Sequence, residues 1–228
     1  MSEDFIRILI YTHAIFGGIA LLIGLVALIV TKGNNLHRTA GKIFYYCMLT
    51  GASLAIIISL LPNHENAFLF SIGIFSCYMI LSGRRILHLK KLFKGQQPAM
   101  KEFFLPALMI ITGIGMLAYG ISLKSNGDNN GIVLIVFACI GGSMALRDIQ
   151  MLRSKPTDKK FWLYQHISKM TGGYIAAVTA FVVVNEFIPG IYGWLSPSVI
   201  GTIYIIYHQI RFRKKGEKIL AERNIENG

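Results

Sequence analysis

Apolar residues run along this chain in long, nearly unbroken stretches, each closed by a short cluster of polar, basic or turn-forming residues. Most of the stretches reach the roughly 18–20 residues that cross a hydrocarbon core about 30 Å thick. They predict helices at about 5–30, 40–61, 67–87, 103–123, 132–152, 161–185 and 199–212. The breaks between them read as turns: Pro62 with Asn63, the cluster KSNGDNNG, the segment RSKPTDKK and the run NEFIPGIYGWLSPS. The pattern therefore predicts an all-α, polytopic membrane bundle of seven transmembrane helices. A single domain would cover 1–212, followed by a basic polar tail at 213–228. The first stretch follows Ser2, Glu3 and Asp4, lacks a basic flank and is longer than the apolar region of a signal peptide, so it is expected to remain as a span.

The sixth stretch, FWLYQHISKMTGGYIAAVTAFVVVN, organises the rest. At helical spacing His166, Met170, Gly173, Ala177 and Ala180 share one face, so the histidine stands in line with the small residues that let another helix approach. Lipid is not its expected neighbour. Other small residues mark packing faces: Gly17, Ala20 and Gly24; Gly113, Ala118 and Gly120; Gly141, Gly142 and Ala145. HAIFGGIA at His13 and HISKMTGGYIAA at His166 form a short repeat on spans of opposite direction, compatible with an inverted repeat.

Charge gives the bundle an orientation. Twenty of the 23 Lys and Arg lie at or beyond alternate helix ends, the exceptions being Arg7, Lys124 and Lys169. The first, third and fifth connections and the carboxyl-terminal segment carry three, six, five and six of them. By the positive-inside rule that side is cytoplasmic, and with seven spans the amino terminus is outside. The acidic residues Glu65, Asp128 and Glu186 occupy the opposite connections. Trp162, Tyr164, Tyr192 and Trp194 fall near span ends, where amphipathic rings suit the headgroup layer.

Composition agrees: 54% of the 228 residues are hydrophobic and 15% charged, well below the roughly 25% charged of soluble domains. A net charge of +12 would suit nucleic acid, but its confinement to alternate helix ends points to membrane topology instead. The same basic connections suit anionic lipid headgroups at the inner leaflet, at about 1 kcal/mol per charge near that surface. The expected partners are the lipid bilayer and those headgroups, with no nucleic acid. Cys47, Cys77 and Cys139 fall inside apolar runs without a C-x-x-C pair, so they are expected as buried small hydrophobes rather than a disulfide or metal framework.

The stretch HAIFGGIALLIGLVALIVTKGNNLHRTAGKIFYYCML, the Arg147–Asp148 pair ahead of a basic connection, and WLYQHISKMTGGYIAAVTAFVVVN together resemble the bacterial multi-pass membrane proteins grouped as a family of unknown function, number 2306. The resemblance spans most of the chain. It implies a helical bundle in a bacterial inner membrane and brings no established reaction.

Candidate chemistry gathers at the cytoplasmic side, where the topology places His37, His88, His166 and His208; His13 lies nearer the outer face and His64 in an outer turn. Gly201, Tyr204, His208 and Arg211 share a face, as do Leu81, Arg84 and His88. Two neutral imidazoles on facing helices suit a six-coordinate haem b, and nearby Arg or Lys would neutralise its propionates. This makes His166 with His208, or with His88, a candidate ligand pair, and Arg84 a candidate propionate partner. Histidines and tyrosines at helix ends equally serve as interfacial or interhelical hydrogen-bonding groups. A two-haem arrangement would need a second histidine pair toward the outer face, where only His13 stands.

A charge inside a span costs roughly 2.5–3.5 kcal/mol near a helix centre, so Lys169, two turns into the sixth stretch, needs a partner or a cavity. Asp148 lies at comparable depth on the fifth and would pair with it. Alternatively Lys169 snorkels to the interface and Asp148 caps Arg147. The retinal lysine of seven-helix rhodopsins belongs mid-span in the seventh helix, where this chain has none. Nor is there a phosphate-binding G-x-x-x-x-G-K-[ST] loop, an H-E-x-x-H pair or a G-x-S-x-G elbow. The sequence thus predicts a cytoplasmic-half polar site drawn from His166, Lys169, His208, Arg84, Arg147 and Asp148, with His13, His37, Arg38 and Tyr204 as further polar candidates. Three roles remain open on this reading: haem-based electron transfer, transport of a proton or small solute, and non-catalytic assembly with a membrane partner.

Overall fold

The computed structural model describes residues 3–154, 156–188 and 191–226. Lys155 of the third basic connection, Pro189 and Gly190 of the turn before the last helix, and the final two residues of the tail lie outside the described residues. Among the described residues seven α-helices follow one another: α1 Glu3–Ile29, α2 Asn35–Ile58, α3 Ala67–Arg85, α4 Lys101–Ser125, α5 Asn130–Arg153, α6 Phe161–Val184 and α7 Ile191–Glu226. Two single-turn 3-10 helices, Ile86–His88 and Leu92–Lys94, shape the connection after α3, and there is no strand among the described residues. Helices α1 to α6 are each long and apolar enough to cross a membrane. Among the described residues α7 falls short of that apolarity, because Tyr192, Ser196, Pro197, Ser198, Tyr204, Tyr207 and His208 dilute its isoleucines.

Local capping moves several ends from where hydropathy puts them. α2 begins five residues before the expected span because the Asn34 side chain accepts a hydrogen bond from the His37 backbone N–H at 2.7 Å, satisfying a donor the first turn leaves open. His37 and Arg38 thus belong to the first turn of a helix rather than to a connection. Asn66 caps α3 in the same way through the Leu69 N–H at 2.9 Å. α3 ends at Arg85, so His88 is not on its face with Leu81 and Arg84 as expected; it sits exposed on the following 3-10 turn. α7 starts at Ile191 and continues to Glu226, carrying the helix through the expected tail, whose Lys, Glu, Arg, Leu and Ala residues are strong helix formers.

α3 is the axis of the bundle. Some 61% of its most apolar stretch is buried, against 11% for α1. It packs against α2, α4, α5 and α6, while α1 lies on α2 and α6, and α7 lies on α6. Helices α4 and α5 also pack together, and small residues make that approach close: a Cβ on Gly131 of α5 would clash with the Gly120 carbonyl of α4. The outer surfaces stay apolar, with Ile8, Tyr11, Ile15, Leu22 and Ile29 exposed on α1 alone, as a lipid-facing helix requires. Cys139 belongs to such a surface. It is exposed on α5, whereas Cys47 is buried and Cys77 half-buried, so the expectation of three buried thiols is corrected: an apolar run in a membrane helix can face lipid as well as protein.

α7 runs the length of the bundle. Near its start Trp194 meets Phe68 at the beginning of α3, with ring centroids 4.5 Å apart. Toward its middle the Tyr204 hydroxyl donates to the Leu28 carbonyl at the end of α1 at 2.6 Å. Lys160, just before α6, donates to the Phe212 carbonyl at 3.2 Å.

Candidate functional site

Lys169 is among the most enclosed side chains of the molecule, at 2% exposure. Its ammonium donates to Asp148 Oδ2 of α5, and to Ser82 Oγ at 3.2 Å and Tyr78 Oη at 3.4 Å on α3. An ammonium has three donors, so this set of acceptors matches its capacity. Asp148 Oδ2 also accepts a hydrogen bond of 2.5 Å from Tyr78 Oη. The Tyr78 ring lies beneath the ammonium at 4.8 Å, and Ser82 Oγ donates back to the Tyr78 carbonyl at 2.6 Å. All four residues are buried. Removing two charges from water costs several kcal/mol each, which only tight pairing and satisfied hydrogen bonds offset. The cluster has both. Of the two arrangements open to Lys169 on sequence, the buried pair is the one observed, and Arg147 points to the exposed side of α5 without Asp148.

The pair is not sealed in apolar packing. A cavity of about 30 Å³ touches Asp148, Lys169 and Ser82 on one side and Arg85, Glu102 and Pro106 on another, with Leu105 and Met151 among its apolar walls. A water needs about 10–15 Å³, so the space admits about two. At its far side Arg85 holds Glu102 through two parallel bonds, Nε to Oε2 at 3.0 Å and Nη2 to Oε1 at 2.6 Å. The Arg85 side chain is 38% exposed and that of Glu102 9%, so of the two pairs that line the cavity this is the one whose cation reaches the surface.

The histidines serve other contacts. His166 Nδ1 lies 2.7 Å from the Gly83 carbonyl of α3, His13 Nδ1 2.9 Å from the Gly51 carbonyl of α2, and His37 Nδ1 3.1 Å from the Ala27 carbonyl of α1. A carbonyl only accepts, so each Nδ1 is the nitrogen that carries a proton toward it, and in a neutral ring of this tautomer the lone pair lies on Nε2. The two members of the short sequence repeat, His13 and His166, therefore make the same contact, an imidazole on a glycine carbonyl of the neighbouring helix. His208 meets the Tyr204 ring in a tilted contact, centroids 4.3 Å apart, and its Nδ1 is enclosed without a hydrogen-bond partner. Lys32 donates to the Ala27 and Leu28 carbonyls that end α1, so Lys32, His37 and Tyr204 together cap one helix terminus. Partial burial pushes the Lys32 ammonium down to about 8.

Of the residues expected at one polar site, the structure joins Asp148 and Lys169. Arg84 instead lies over the Tyr45 and Tyr46 rings of α2, at 4.5 and 5.9 Å, and Arg147, Arg38 and His88 are exposed. Four residues that complete the site were not singled out by sequence: Tyr78, Ser82, Arg85 and Glu102. Three of them carried a signal, since Tyr78, Ser82 and Arg85 recur at helical spacing and share a face of α3. Among the described residues no group of three or more His, Cys, Asp or Glu side chains is arranged to hold a metal ion. No family model matches the chain, nor does any curated protein or solved structure, so the family resemblance rests on its three motifs alone.

Proposed function

We propose that the chain is a seven-span protein of a bacterial inner membrane, amino terminus outside, whose Asp148 takes up and releases a proton. Six membrane-length helices, the end-to-end course of α7 and the basic residues at alternate helix ends support the seven-span reading. The anionic headgroups of the inner leaflet are the natural neighbours of those basic ends.

One observation carries the proton reading: the cavity that meets the buried pair. An ion pair that only fastens helices gains nothing from adjoining water, whereas a carboxylate that changes protonation state needs a path to it. The space is water-sized, which favours a proton over any larger solute. Tyr78 and Lys169 stabilise the carboxylate through Oδ2, and on protonation the ammonium keeps its contacts with Ser82 and Tyr78. The test is infrared difference spectroscopy on purified protein across a pH step. A carboxylic-acid carbonyl band that shifts in deuterium oxide and vanishes in Asp148→Asn is expected; an unchanged band in Asp148→Asn refutes the assignment.

A second reading, haem ligation, is favoured by the histidine tautomers. His166 and His37 each tie Nδ1–H to a carbonyl, which in the neutral tautomer leaves Nε2 free for a haem iron. A Soret band in purified protein that is lost in both His166→Ala and His37→Ala would support it, and metal-free protein of full stability would end it.

A further inference from the structure

We infer that Glu102 is a second proton-carrying group, joined to Asp148 by water in the cavity between them, and that the Arg85–Glu102 pair guards access from the basic end of the bundle. This rests on the assignment of Asp148 as a proton site. The two carboxylates line the same cavity, and each is held by its own cation, Asp148 by Lys169 and Glu102 by Arg85. Their surroundings differ in one respect that matters. Lys169 is enclosed, while the Arg85 side chain is 38% exposed, so Glu102 is the carboxylate whose cation reaches water outside.

The backbone adds an independent feature. Pro106 lies inside α4 and lines the cavity, and its nitrogen has no hydrogen to give to the carbonyl one turn earlier, which belongs to Glu102. Proline thus withholds one helical donor from the backbone of a residue that lines the cavity, alongside Ser82 and the two carboxylate side chains. A buried water requires two to four polar partners, and this wall supplies them.

The transfer balances as follows. A proton entering from the basic face binds Glu102 and loosens its bonds to Arg85. Protonated Glu102 passes its proton to the cavity water, and that water passes one of its own to Asp148. Tyr78 and Lys169 both bind Oδ2, so Oδ1 is the oxygen with a free lone pair. The water is regenerated, and Glu102, again a carboxylate, returns to Arg85. No bond other than O–H is made or broken.

The experiment follows the Asp148 carbonyl band after a rapid pH jump. In Glu102→Gln the band should reach the wild-type amplitude at least about tenfold more slowly, because the side chain keeps its shape but carries no proton. Glu102→Asp should recover much of the rate. Pro106→Ala, which leaves both ion pairs intact and returns a donor to the Glu102 carbonyl, should also slow uptake. Arg85→Gln separates relay from fastening: it breaks the same ion pair as Glu102→Gln, and should leave uptake as fast as wild type or faster. Wild-type kinetics in both Glu102→Gln and Pro106→Ala would overturn the relay while leaving Asp148 as a proton site. Equal slowing in Arg85→Gln and Glu102→Gln would reduce Glu102 to a structural partner. Absence of the Asp148 band in wild type would remove the proton site and the relay together.

Discussion

Truncating Asp148 to alanine removes the counter-charge of an ammonium that is 2% exposed and leaves it with two hydroxyl oxygens at 3.2 and 3.4 Å. Breaking a buried pair from one side typically costs about 3–5 kcal/mol, and the lost Tyr78 bond lies within that figure. For a chain of this length each kcal/mol moves the unfolding midpoint by about 2–4 °C, so a fall of roughly 6–20 °C is expected in detergent. Lys169→Met keeps the length of the stem while removing the charge, and leaves Asp148 with the Tyr78 hydroxyl; its cost should be somewhat smaller, because the carboxyl can protonate. The double variant contains no buried charge. It should be more stable than the sum of the singles predicts, by about 2–3 kcal/mol, the upper range for residues in direct contact. Thermal unfolding of all four proteins in one detergent at one pH closes the cycle. Singles that each cost under about 1 kcal/mol, with a double that is additive to within about 0.5 kcal/mol, would mean that Lys169 reaches the interface and that the burial argument fails.

Tyr78→Phe removes the donor to Asp148 without disturbing the ring under Lys169, and should cost about 1.5–3 kcal/mol by the same unfolding measurement, as a hydrogen bond to a charged group does. Gly83→Ala would bring a methyl to 2.9 Å from Lys169 Cβ and 3.0 Å from Met170 Sδ, so it should destabilise by about 1–3 kcal/mol, whereas Gly17→Ala, with nothing within 4 Å, should stay within about 0.5 kcal/mol of wild type or gain slightly from helix propensity. Because burial lowers Lys32 to about 8, the unfolded chain holds more protons than the native one between about pH 8 and the ordinary lysine value. Stability should therefore rise across that window in wild type, and in Lys32→Met the rise should be flatter.

The helices were legible because a membrane imposes one rule on every span: backbone groups pair internally and side chains stay apolar for about twenty residues. Positions 67–87 and 161–185 were expected as helices, and α3 and α6 occupy nearly the same residues. What hydropathy does not encode is where a helix is capped or where it keeps going. Asn34 starts α2 within a segment that reads as polar connection, and α7 continues through charged residues that a hydropathy window treats as tail. Nor does hydropathy tell protein from lipid as a neighbour, which is why Cys47 and Cys139, alike in sequence, end on opposite sides of a helix surface.

The ion pair was half legible for a related reason. A lysine two turns inside a span must be explained, and an aspartate at similar depth on the preceding helix is the nearest explanation, so cost alone pointed to both. Arginines at the helix ends carry no such cost, so cost alone gives no ground for choosing Arg85 over its neighbour Arg84. Their positions on α3 decide it. Arg85 lies one turn beyond Ser82, which lies one turn beyond Tyr78, so a single face of the central helix runs from the buried carboxylate to the half-exposed arginine. Arg84, one residue back, is rotated by about a quarter turn or more and meets the tyrosines of α2 instead. The same face of α3 therefore contributes the hydroxyls that satisfy Lys169 and the guanidinium that holds Glu102. Any shift of α3 along its axis would act on both ion pairs at once, which ties the state of the buried pair to that of the exposed one through a single rigid element.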